Sequence, residues 1–132
     1  MLRLAIALAL LTAVLAPAAH AATPTSFTVI ATQTQSKQGA GSITFIEALT
    51  SGKTVIGHDL VTCKTLTKTS LHCDATFTFR RGTVRAVGTI LFAKLLNVLR
   101  IVGGTRRFES AKGTMTLADV TSKATAERFE FR

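Results

Sequence analysis

Apolar and polar residues alternate through most of the chain once its first two dozen positions are passed. Residues 26–34 set Phe27, Val29 and Ala31 against polar neighbours, and Gly39 and Gly41 close the run. Period-two patterning puts successive side chains on opposite faces and predicts a strand. A second strand, 42–49, carries Ile43, Phe45 and Glu47 on one side and ends in a turn at 50–53. A third covers 54–66, bent at Gly57. The cleanest alternation is 71–80, with Leu71, Cys73, Ala75, Phe77 and Phe79 on one face and His72, Asp74, Thr76, Thr78 and Arg80 on the other. After a turn at Arg81 and Gly82, residues 83–92 align Val84, Ala86, Gly88, Ile90 and Phe92. Val87 and Leu91 on the opposite face imply cover on both sides. Between 93 and 102 the pattern is mixed: 94–99 fits a short helical turn before Leu99 and Ile101 resume strand alternation. Two more strands follow, at 113–120 with Met115 and Leu117 together and at 124–131 with Phe129 and Phe131 in step.

About eight short strands with hairpin spacing and no long helix predict an all-β, antiparallel domain. A closed eight-stranded barrel would remove the free sheet edges and could hold one small ligand. A two-sheet sandwich satisfies the same periodicity.

The amino-terminal segment has a different character. Arg3 precedes an apolar run from Leu4 to Ala16, and Ala19-His20-Ala21 has the small-x-small pattern of a signal-peptidase site. The apolar run before Pro17 is shorter than the ~20 residues that span a bilayer. The expectation is a signal peptide at 1–21, cleavage near Ala21, no membrane anchor, and one secreted barrel domain at 22–132, extracellular or periplasmic.

Sixteen Lys and Arg against seven acidic residues give a formal charge of +9. Loss of Arg3 with the leader, which has no acid, lowers it to +8. Such a balance suits an anionic polymer or serves solubility. Nucleic acid is not the expected partner: Tyr and Trp are absent, leaving only phenylalanines as stacking platforms. The two cysteines, Cys63 and Cys73, flank a polar, turn-like segment, and a disulfide between neighbouring strands is favoured over a reactive thiol.

The glycine-rich stretch 101–113, Ile-Val-Gly-Gly-Thr-Arg-Arg-Phe-Glu-Ser-Ala-Lys-Gly, reads as a compact turn between strands anchored by Phe108. It resembles the Gly-Gly-Thr-Gly-x-Phe/Tyr-x-x-Ala-x-Gly signature of the dirigent and allene oxide cyclase barrel proteins. Phe79, Gly82 and Gly88 fit the same half of that pattern. Upstream, the stretch 45–50 resembles the dirigent Asp-Asp-Pro-Leu-Thr region, with Glu47 at an acid position, and Ile56-Gly57 resembles their Val-Gly. Cys63 sits where allene oxide cyclases carry a cysteine. The resemblance implies an eight-stranded barrel, commonly a homotrimer, with an apolar cavity. It also implies an isomerase- or cyclase-like activity, or stereochemical guidance of a small apolar or phenolic molecule that reacts unaided. The departures are an acid-free first strand, Arg106 at the fourth position of the glycine motif, His58 in place of arginine, and no tyrosine.

The catalytic candidates are therefore Glu47, His58 and Asp59, and the ligand-binding candidates Thr105, Phe77 and Phe79. Glu47 in a barrel mouth would be a general acid or base with a pKa raised by burial, or else a solvated residue beside its turn. His58 and Asp59 are adjacent and point to opposite faces, so only one can serve a cavity. Asp74 suits a cross-strand ion pair, and Thr105 a hydrogen bond within its own turn. No metal or cofactor is expected: His58 and His72 lack clustered acids in sequence, and Gly103-Gly104 does not open a helix. The leading function is a dirigent-like cavity binder. The alternative is a non-catalytic extracellular or envelope protein whose basic surface meets an anionic polymer.

Overall fold

The computed structural model describes residues 26–132, and the expected signal peptide lies outside the described residues. Eight strands follow one another: β1 (Ser26–Gly39), β2 (Ser42–Ser51), β3 (Thr54–Thr67), β4 (Ser70–Phe79), β5 (Gly82–Leu91), β6 (Leu96–Gly104), β7 (Gly113–Thr121) and β8 (Ala124–Phe131). Each pairs antiparallel with its sequence neighbour, and β8 pairs with β1 from Ser26 opposite Glu130 to Thr32 opposite Ala124, closing the barrel. The arrangement is thus the closed barrel that the family resemblance implies and not the sandwich, which the alternation alone had allowed equally. β1 runs five residues beyond the expected 26–34, since its far half still pairs with β2. No helix forms at 94–99: residues 92–95 make a turn and β6 starts at Leu96.

Alternation sorts the side chains. Val29, Ala31, Leu49, Val61, Ala75, Phe77, Val84, Ala86, Leu99, Ile101, Met115 and Phe129 are buried inside, while intervening residues such as Thr28, His58, Thr76 and Arg100 are exposed. Cys63 and Cys73 are direct cross-strand partners on the inner face and form a disulfide. That bond fits an oxidising compartment. No helix among the described residues is long and apolar enough to cross a membrane.

The two ends of the barrel differ. Turns 51–54, 79–82 and 104–113 lie at one end together with Ser26 and Phe131. There Phe27, Phe77, Phe79, Phe108, Phe129 and Phe131 pack into one cluster. Phe77 meets Phe129 edge-on at 4.9 Å between ring centroids, Phe27 stacks on Phe129 at 4.9 Å, and Phe108 stacks on Phe131 at 5.7 Å. Offset and edge-to-face contacts add to the area these rings bury, so this end is plugged. At the other end, β5 and β6 stop pairing beyond Val87 opposite Arg100. Past that point the Asn97 side chain substitutes for the ladder, its Oδ1 accepting from the Leu91 N–H at 2.8 Å and its Nδ2 donating to the Leu91 carbonyl at 3.2 Å. This end stays open.

The glycine-rich turn contains a short 3-10 helix, Arg106–Phe108. Arg106 has φ of 53°, so an arginine holds the left-handed conformation at the position where the resembled motif has glycine. Gly113 is indispensable for a separate reason. It has φ of 141°, and a Cβ there would overlap the Glu130 carbonyl of β8.

Two outcomes follow for stability. Gly113→Ala separates β7 from β8 and lowers the unfolding free energy by about 2–4 kcal/mol in urea titration. Reduction of the disulfide, which closes a loop with a sequence separation of 10, lowers it by about 2–3 kcal/mol, read as a shifted urea midpoint.

Candidate active site

The open end leads into a cavity of about 430 Å³. Its lining is mixed: Phe45, Val61, Leu71, Phe77, Leu99 and Met115 contribute apolar side chains, Gln33, Asn97 and Thr125 polar ones, and Phe92, Lys94, Leu95 and Lys123 stand around its mouth. Two carboxyl side chains enter it, Glu47 from β2 and Glu127 from β8, and Asp59 from β3 is buried beside them without lining the cavity itself. Glu47 and Asp59 face each other across the β2–β3 ladder. Glu127 comes from two strands away, past β1, where the inward residue Ala31 offers little bulk between them. One oxygen from each of the three lies within 4.8 Å of the others.

Asp59 is fully buried and Glu127 is 1% exposed. Both Asp59 carboxyl oxygens and Oε2 of Glu127 lack a hydrogen-bond partner. Three negative charges in such a place would be prohibitively costly without compensation. The carboxyls respond by holding protons. Burial, then the charge of Glu47, pushes Asp59 up to about 8. Burial, reinforced by Asp59 and Glu47, raises Glu127 well above the ordinary carboxylate range. Glu47, which is only half-buried, is also raised by burial. At neutral pH Asp59 is held mainly protonated, Glu127 is shifted in the same direction, and Glu47 is the least buried of the three. The same oxygen-only donor set would also suit a hard divalent cation.

The candidates named from sequence are dispersed by the fold. Glu47 lines the cavity and is not a solvated turn residue. Asp59 points inward, and His58, its neighbour, is exposed on the outer face, outside the cavity. Phe77 lies in the cavity wall, but Phe79 belongs to the plugged end and lines a separate pocket there. Thr105 is exposed at that plugged end. It bonds across to the next turn rather than within its own, its Oγ1 accepting from the Thr83 N–H at 3.1 Å and lying 2.8 Å from the Thr83 hydroxyl. Asp74 forms a two-pronged ion pair with Arg85 of β5, at 2.5 and 3.1 Å, on the outside of the barrel. Glu127 was not among the candidates. The signal for it was present: it is in step with Phe129 and Phe131 on an apolar face, where a solvated acid does not belong.

No known protein family matches the chain, and no curated protein does. Thirty-three chains of solved structures do match. One is a pyocyanin demethylase, with a TM-score of 0.70 and 18% identity, covering 81% of this chain and 99% of that one. Another is an exo-specific intermolecular Diels-Alderase, with a TM-score of 0.63 and 11% identity, covering 80% of this chain and 97% of that one. The likeness at these identities is one of fold: the chain is a small eight-stranded barrel of the kind that these enzymes share. The dirigent and allene oxide cyclase resemblance is supported as far as the barrel and no further.

The carboxyl set makes stability depend on pH in a defined direction. Native Asp59 keeps its proton up to about pH 8, whereas the ordinary value is 3.8. The folded state therefore binds the extra proton between those limits, and its contribution is present below the lower one and lost as pH rises through the window. Glu47 and Glu127, also raised, act in the same sense. The exposed Asp74, held down by its Arg85 hydrogen bonds, opposes this weakly and at more acidic pH. Thermal melts from pH 5 to pH 9 should show a falling Tm in the native protein and a flatter profile in Asp59→Asn, with the variant the more stable of the two at pH 8. Parallel profiles would show that Asp59 ionises as an ordinary carboxyl.

Proposed function

We propose that this chain is an exported barrel that binds a small apolar or aromatic molecule in its open cavity and guides the cyclisation or rearrangement of that molecule by proton transfer from the Glu47, Asp59 and Glu127 set. The carrying observation is a cluster of three carboxyl groups at a 430 Å³ cavity, Glu47 and Glu127 lining it and the fully buried Asp59 beside them. A protein that needed only a core would fill that place with hydrocarbon, because unpaired buried polar groups cost stability. Perturbed acids in a cleft are what proton-transfer sites require.

The cavity walls fix the ligand, which is much of what a reaction with an intrinsically reactive substrate needs. Glu127, whose pKa is raised by burial and by its neighbours Asp59 and Glu47, donates to an oxygen or nitrogen on which negative charge develops, and Asp59 acts through it as a positioning residue. Glu47, nearer solvent, accepts a proton from the carbon or heteroatom that loses one. The names of the two similar barrels, a demethylase and a Diels-Alderase, are consistent with this scaffold handling small organic molecules. Secretion follows in this reading from the signal-like leader and the disulfide. Trimeric assembly would bury outward-facing apolar residues such as Ile46 and Leu60, which are cross-strand partners on the outer face.

The test offers phenolic and unsaturated fatty-acid libraries to the purified protein, with native mass spectrometry for occupancy and chromatography for products of unchanged mass. Leu99→Trp, which fills the cavity, should abolish occupancy while the fold, followed by circular dichroism, persists. Glu127→Gln should bind the same compounds within a few-fold and lose about 10²–10⁴ in turnover. Equal occupancy in the Leu99→Trp protein would overturn the cavity reading, and unchanged turnover in Glu127→Gln would overturn the acid role.

A further inference from the structure

The plugged end of the barrel carries a second pocket, of about 330 Å³, on the far side of the phenylalanine cluster from the carboxyl cavity. Its floor is Phe27, Ile56, Phe79 and Phe108, and its rim is Arg80, Arg81 and Arg107. Phe129 lies between the two cavities, in contact with Phe27 at 4.9 Å and Phe79 at 6.0 Å on one side and Phe77 at 4.9 Å on the other.

The backbone that carries the three arginines is fastened. Arg80 and Arg81 form the β4–β5 turn, and Arg107 sits in the 3-10 helix after β6. The Arg107 N–H donates to the Arg81 carbonyl at 3.2 Å and the Thr105 N–H to the Thr83 carbonyl at 3.0 Å. The Thr83 N–H and hydroxyl both engage Thr105 Oγ1. Two distant turns are thereby held side by side, and Thr105, an exposed residue of the glycine motif, acquires a positioning role. The ion pairs among the described residues are Arg85 with Asp74 and Arg128 with Glu130. None of the three rim arginines takes part in one, and the acid nearest them in sequence, Glu109, is not paired with them.

An apolar floor alone would accept any hydrophobic molecule, and a basic rim alone any anion. Together they describe one class of ligand. Guanidinium forks match a carboxylate, sulfonate or phosphate in plane and charge, and four apolar side chains receive the body attached to it. The volume suits a ring system or short chain and not a folded partner. A polyanion would need charge spread along a track, and a membrane a broad apolar face, whereas here three arginines surround one shallow apolar floor of four side chains.

We propose that the closed end of the barrel is a second binding site, distinct from the carboxyl cavity, for a small amphiphilic anion whose apolar body rests on Phe27, Ile56, Phe79 and Phe108 and whose charged head is held by Arg80, Arg81 and Arg107.

The site is tested by isothermal titration with 2-naphthoate, and with the neutral 2-naphthalenemethanol as control. The acid should bind at least tenfold more tightly than the alcohol and weaken several-fold between 20 and 300 mM salt. The double variant Arg81→Ser, Arg107→Ser, whose changes are exposed and spare the fold, should lose at least fivefold for the acid and little for the alcohol. Leu99→Trp, which fills the other cavity, should leave naphthoate binding unchanged. Equal affinity for acid and alcohol would overturn the proposal, as would loss of binding in Leu99→Trp with retention in the arginine variant. So would tight binding of heparin oligosaccharides, or of phosphatidylglycerol vesicles, that naphthoate does not displace.

Discussion

The pairing of β8 with β1 is the constraint on which the rest of this structure depends. Seven residue pairs, from Ser26–Glu130 to Thr32–Ala124, turn a meander of hairpins into a cylinder with no free edge. Once closed, the barrel has one inside, and the period of two assigns every strand residue to it or to the exterior. Closure also brings the last strand beside the first two, which are remote in sequence. The carboxyl cluster exists only because of that: Glu127 reaches Glu47 and Asp59 across the seam.

The interior is divided by packing. Six of the eight phenylalanines gather at one end and fill it. Toward the other end the inward positions hold smaller residues and the disulfide, and the β5–β6 ladder gives way to a single asparagine side chain. A barrel of this size is ordinarily just wide enough for its own side chains. Concentrating the bulk at one end leaves room at the other. The price is three acids clustered inside the barrel, which remain compatible with the fold because burial shifts them toward holding protons instead of charge.

The same partition separates two chemistries on one small scaffold. The open cavity has two acids in its lining, with a third buried beside them. The plugged end has arginines around an apolar hollow. The net positive charge of the chain is thus not evenly meaningful: Arg85 and Arg128 are engaged by acids on the outer face, whereas Arg80, Arg81 and Arg107 frame a pocket.

Much of this was legible in the amino-acid sequence. Alternation determined the strands and which residues share a face, because a strand places every second side chain on the same side whatever it packs against; which face turns inward was left to the structure. The spacing of Cys63 and Cys73 around a turn determined their pairing, since opposite residues of a hairpin are within bonding reach. Even the glycine-rich turn was readable, apart from Arg106 retaining a left-handed conformation without glycine. Alternation alone left closure open, for a sandwich has the same periodicity; the resemblance of the glycine-rich stretch implied a closed barrel, and the structure bears that out. The relations between strands that are not neighbours were beyond the sequence. Glu127 looked like one polar residue on a terminal strand, His58 looked as available as Asp59, and Phe77 and Phe79 looked equivalent. Tertiary structure separated them: barrel closure sets which acids meet, the pleat sets which neighbour faces in, and the position along the barrel axis sets which phenylalanine lines a cavity and which one plugs it.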